Sequence, residues 1–159
     1  MINRVLAGVD GSPNSLRAVR TAADILDREA QGTLTLVYVA KAPTALEWFQ
    51  GPGGLVQGGL GEVEKREREA MEAASAEGQK MLEEARSICL NILKDRPVRI
   101  ETLVLFGDPA QLITEYAEEK EYDMVVLGSR GAGPLRGVLL GSVSYKVLNS
   151  AHCPVLIVK

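Results

Sequence analysis

Cysteine and histidine are almost missing from this chain of 159 residues, which has two cysteines, Cys89 and Cys153, and one histidine, His152. The cysteines lie far apart and form no Cys-x-x-Cys pair. That excludes a disulfide framework and a zinc site of the usual spacing, and leaves two buried thiols as the plain expectation. One histidine cannot build a His-rich metal centre. A Ser–His–Asp triad would have to use His152, and the chain has no Gly-x-Ser-x-Gly elbow to present the nucleophile. Aromatic residues make up only 4% and the net charge is −3. An acidic, aromatic-poor surface does not suit a nucleic-acid partner, because neutralising phosphate needs a basic face. No apolar run approaches ~18 residues, and MINRVLAGVDGS has no basic segment followed by a long apolar one. No membrane span or secretory leader is therefore expected, and the cytoplasm is the expected compartment. Two phosphate motifs are also lacking: there is no GxxxxGK[ST], and the first apolar run leads into GVDGS, not GxGxxG.

What the chain does have is an ordinary balance of 46% apolar and 25% charged residues, enough for one domain, 1–159, around one core. Strand and helix signals alternate along it. RVLAGV (Arg4–Val9) reads as a strand buried on both faces, and DGSP follows, with Ser12 as helix cap and Pro13 in the first turn. Leu16, Val19, Ala23 and Leu26 then form one helical stripe, and TLTLVYVA (Thr33–Ala40) is the second strand. Residues 41–62 are rich in glycine and read as a variable loop, with Trp48 and Phe49 either packing it down or flanking a ligand. From Glu62 a long helix is expected to about Leu93, its buried face traced by Met71, Ala74, Gly78, Met81, Ala85, Ile88 and Ile92. VRIETLVLF is the third strand; Asp108 and Pro109 open the next helix; DMVVLGS, SVSYKVLNSA and CPVLIVK complete the pattern as strand, helix and strand. The alternation predicts an α/β fold, an open parallel sheet of five strands with helices on both faces, Rossmann-like.

In such sheets ligands sit beyond the carboxyl ends of the strands, where the strand order reverses. The candidate site thus collects Gly8–Asp10, Val39–Ala40 and Leu127–Gly131. The stretch GSRGAGPLRGVLLGS (Gly128–Ser142) is the most telling segment. Gly128 and Gly131 would let a ligand approach the backbone. Gly141 and Ser142 stand before a helix whose first N–H groups, about Val143 to Tyr145, lack intrahelical acceptors and suit phosphate oxygens. The hydroxyls of Ser142 and Ser144 could add hydrogen bonds.

The spacing Gly128-x2-Gly131-x9-Gly141-Ser142 resembles the ATP-binding signature of the universal stress protein family. VLAGVDGSPNSLRAV, FGDPAQLITEYAEEKEYDMVVLGSRG and GSVSYKVLNSAHCPVLIVK extend the resemblance over most of the chain except about 41–95. The resemblance implies strand order 3-2-1-4-5, ATP as ligand with Mg²⁺ as its accompanying ion, and a homodimer. It places Asp10 near the ribose or a phosphate-bound metal and Val39 at the adenine. It puts Leu127, Gly128, Arg130 and Gly131 along ribose and phosphates, and Gly141, Ser142, Val143 and Ser144 at the phosphate tail. The apolar last strand, about Pro154–Val158, would be an edge, and pairing with its copy would cover it.

Three functions fit. The first is an ATP-binding regulatory protein of the stress response. The second is a slow ATPase or autophosphorylating enzyme, with Ser142 or Ser144 as phosphoacceptor but no residue that offers itself as general base. The third is a nucleotide-free dimerisation module, its glycines serving loop geometry alone.

Overall fold

Short apolar runs joined by helices cannot close hydrogen bonds within themselves, so they pair side by side with every crossover covering a face of the sheet. The computed structural model of the protein describes residues 2–26, 31–42, 59–94, 96–131 and 140–159. In chain order its elements are β1 (Arg4–Gly8), α1 (Pro13–Ile25), β2 (Gly32–Ala40), α2 (Gly59–Leu93), β3 (Val98–Phe106), α3 (Pro109–Glu119), β4 (Met124–Gly128), α4 (Ser142–Ser150) and β5 (Val155–Val158). The five strands form one sheet in the order β3-β2-β1-β4-β5. All neighbours run parallel, with Val5 opposite both Leu34 and Met124 and with Val125 opposite Val155. The predicted class and order are those observed.

Side chains of a strand alternate between faces, and two cores follow from that alternation. Val5, Ala7 and Val9 point to the side covered by α1 and α2, where they meet Ala18, Val19, Ala22, Leu82, Ala85 and Cys89. Leu6, Val125 and Leu127 point to the other side, against Ala110, Ile113 and Ala117 of α3 and Val147 of α4. Leu6, Leu34 and Leu36 are fully enclosed, and each such side chain contributes about 1.5–3 kcal/mol of burial. Burial also pushes the Cys89 thiol up to about 12, so it is an inert part of the first core.

α2 departs from the expectation in two ways. It begins at Gly59, so the last residues of the expected loop, from 59 to 62, are helical; Trp48 and Phe49 lie outside the described residues. The expected stripe holds from Gly78 onward, where Gly78, Leu82, Ala85, Cys89 and Leu93 are buried and Met81, Ile88 and Ile92 pack against the same core, but it fails at Met71, which is 40% exposed. The reason is length. A helix of 35 residues spans about 52 Å, and a strand of nine such as β2 about 30 Å. The N-terminal half of α2 therefore has little sheet beneath it, and apolar spacing there does not find a core. Among the described residues, no helix is long and apolar enough to cross a membrane.

Candidate nucleotide site

β1 lies between β2 and β4. The crossover from β1 to β2 uses one face of the sheet and that from β3 to β4 the other, which opens a crevice beyond the carboxyl ends of β1 and β4. A cavity of about 230 Å³ occupies this crevice. Its wall is built from Gly8 and Asp10 at the end of β1, Val39 of β2, Leu127 and Gly128 of β4, Arg130 and Gly131 just after it, and Gly141, Ser142, Val143 and Ser144 at the start of α4. The residues that the family resemblance assigned to the ligand are thus on one wall, whereas Ala40 and Ser129, which fall in the same candidate stretches, are not part of it. Val9, Ser15, Val37, Pro109 and Ile113 join them. Ile113 was not among the candidates. The missing signal was that α3 starts beside the same crevice, which no local pattern reveals.

Asp10 is held by the turn that follows it. Its Oδ1 accepts the Ser12 N–H at 2.9 Å, and its own N–H donates to Ser15 Oγ at 3.3 Å. Gly11 between them has φ of 76°, a left-handed conformation that glycine adopts without steric cost. The other carboxylate oxygen, Oδ2, faces Gly131: a Cβ there would lie 2.7 Å from it. Gly131 therefore makes room for Asp10. Tyr38 senses the same carboxylate, since its phenol is pushed up first by burial, then by Glu77 and Asp10. Asp10 and Arg130 are the charged side chains among the described residues of the wall. No cluster of three or more metal-ligating side chains occurs among the described residues. A magnesium ion, which takes one or two carboxylates and fills its shell with water and phosphate, fits a site with Asp10 Oδ2 alone on the protein side.

The glycines of the motif divide by what uses their missing side chain. At Gly128 a Cβ would sit 2.7 Å from the Asn14 carbonyl carbon and 2.8 Å from the Ser15 nitrogen, so the first turn of α1 occupies that space. Its carbonyl is taken as well, by the Ser144 hydroxyl at 2.7 Å. Ser144 thereby ties the start of α4 to the end of β4 and spends its hydroxyl proton inside the protein. Gly141 is different. Its backbone is ordinary, φ −66° and ψ 157°, and a Cβ would meet Arg130 Cα at a comfortable 3.4 Å. Among the described residues, nothing demands glycine at this position.

Gly141 is the N-cap of α4, and among the described residues no side chain caps that end. The Tyr145 N–H is already bonded to the Gly141 carbonyl at 2.9 Å. This moves the open donors one residue towards the N-terminus from the expected range: they are the N–H groups of Ser142, Val143 and Ser144, for which no acceptor occurs among the described residues. Those residues line the cavity. An unsatisfied helix start next to an apolar cavity favours an anion joined to an apolar body.

Comparison with known proteins agrees with this geometry. The model of the universal stress protein family matches residues 1–159. Universal stress protein YxiE of Bacillus subtilis is 33% identical over 159 residues, covering 100% of both chains. The chain has the fold of universal stress protein UspA from Lactobacillus plantarum, with a TM-score of 0.78 and 23% identity, over 99% of this chain and 98% of that one. It is also similar to a universal stress protein solved in complex with cAMP, with 28% identity and a TM-score of 0.66 over 99% of this chain and 97% of that one. Other structures of this fold hold dAMP or AMP. The chain belongs to the universal stress protein family.

Proposed function

We propose that this universal stress protein binds an adenine nucleotide, ATP among them, in the crevice beyond β1 and β4, and acts as a regulatory homodimer. The observation that carries the reading is the bare N-terminus of α4, opening onto a cavity walled by Val37, Val39 and Ile113. The cavity is at the small end for ligand sites. It takes the base and sugar, with the phosphates at its mouth, on the N–H groups of Ser142–Ser144 and near Arg130. Val39 meets the base. Asp10 Oδ2, a carboxylate among phosphates, serves the ribose hydroxyls or the Mg²⁺ that accompanies ATP. The nucleotide complexes of similar proteins support the same ligand class. β5 is outermost in the sheet, with half-buried Val155–Val158; pairing with a second copy covers this apolar edge.

The test is to denature the purified protein, chromatograph what it releases, and titrate the emptied protein with AMP, ATP and cAMP by calorimetry. Saturable binding of one of them at one site per chain is expected. No released nucleotide and no heat with any of the three would leave the dimerisation module as the function. Sedimentation of the same sample reads the homodimer.

A further inference from the structure

Ser129 is 3% exposed and stands between two residues of the cavity wall without being part of it. Three of its polar groups are engaged. Its N–H donates to the Val158 carbonyl of β5 at 2.6 Å, and its carbonyl accepts the Gly141 N–H at 2.7 Å. Its Oγ accepts from Asn14 Nδ2 at 3.2 Å. The bond to Gly141 joins the two halves of the motif directly, so the position of Ser129 sets where the start of α4 sits relative to Gly128 and Arg130.

Asn14 is in turn oriented from outside. Arg17 Nη2 donates to Asn14 Oδ1, and Arg17 Nε donates to the Lys159 carbonyl at 2.8 Å. A guanidinium only donates, so it fixes the amide with its oxygen towards Arg17 and its NH₂ towards Ser129. The bonds form a continuous path from the strand after β4, through the surface of α1, to the open helix start of α4. Asn14 and Arg17 do not line the cavity; Asn14 packs behind Gly128 of its wall.

We propose that Asn14 and Arg17 are positioning residues that tune nucleotide affinity from outside the site, acting through Ser129 on the spacing of its two phosphate-facing segments. This rests on the nucleotide reading above.

The experiment uses Arg17→Ala, Asn14→Ala and the double variant, each confirmed folded by its melting temperature. In the nucleotide-free protein, the Gly141 amide proton is followed by NMR. It is expected to shift and to exchange about tenfold faster in both single variants, while the Leu6 amide in the centre of the sheet keeps its rate. Titration with AMP is expected to give a roughly fivefold loss of affinity for each single variant, with the double variant no weaker than Asn14→Ala alone. An unchanged Gly141 amide in both variants, or losses that multiply in the double, would overturn the proposal. If the unmodified protein binds neither AMP nor ATP, the nucleotide reading fails, and the Gly141 amide alone decides whether the path positions the rim.

Discussion

Two helices begin beside the same cavity and treat their first turns in opposite ways. α3 starts with its own anion: Asp108 Oδ1 accepts the Gln111 N–H at 2.9 Å. That bond, followed by Lys146 at 3.6 Å, holds the exposed carboxyl below its usual range. α4 starts with Gly141 and, among the described residues, no side-chain acceptor. Both ends carry the same partial positive charge and the same unpaired donors. At α3 the need is met internally and the end is structural. At α4 it is left open, next to an apolar hollow, and the end can serve a ligand. The difference is one of omission: among the described residues, the chain withholds at α4 a cap that it uses at α3.

The comparison breaks most sharply if the α3 cap is transplanted. Gly141→Asp places a carboxylate where the backbone and the space already accept a side chain. Nucleotide affinity should fall by about a hundredfold, with the melting temperature unchanged or slightly higher; a variant that binds normally would show that the helix start is not the phosphate site. Next in size is Ser144→Ala. It removes a buried tether to the Gly128 carbonyl and should cost about 1–2 kcal/mol in denaturant unfolding, with weaker binding as α4 loosens. The smallest effect is that of Asp108→Ala, which should lower the melting temperature by about 2 °C and leave nucleotide affinity as it was.

The Asp108 cap also has a pH signature. A carboxyl whose folded value is depressed stabilises above its unfolded value and loses that contribution as pH falls through the folded one. The gap in melting temperature between the protein and Asp108→Ala should therefore persist down to about the ordinary value of 3.8 and close only below it. A gap that closes well above that value would mean the cap acts by something other than its charge.

Much of the fold was legible because its signals are local. Ser12–Pro13 and Asp108–Pro109 announced two helix starts, and both caps are in place. Arg4, Val98 and Phe106 were correct strand limits. The order of the strands was not local; it came from the family resemblance. What escaped was whatever depends on contact between distant segments. The reason for Gly128 is the backbone of Asn14, more than a hundred positions away, so that glycine read as an opening for ligand when the protein itself fills the space. The open donors of α4 were placed one residue late, at about Val143 to Tyr145, because Gly141 and Ser142 both precede the helical pattern and nothing local says which of them is the cap. The stripe of α2 went astray at Met71, where helical spacing continues but the sheet beneath does not.

One feature of the sheet bears on how the chain reaches this state at all. β1, the central strand, is synthesised well before one of its two neighbours, β4, and the Arg4 amide is bonded to Asp123, 119 residues further along. At common rates of synthesis, about 5–20 residues per second, the nascent chain carries its central strand with one flank unpaired for several seconds. Contacts of such separation also make folding slow. Those seconds are the interval in which aggregation competes with folding, and shielding of nascent Val5–Ala7 during them would raise the yield of folded protein.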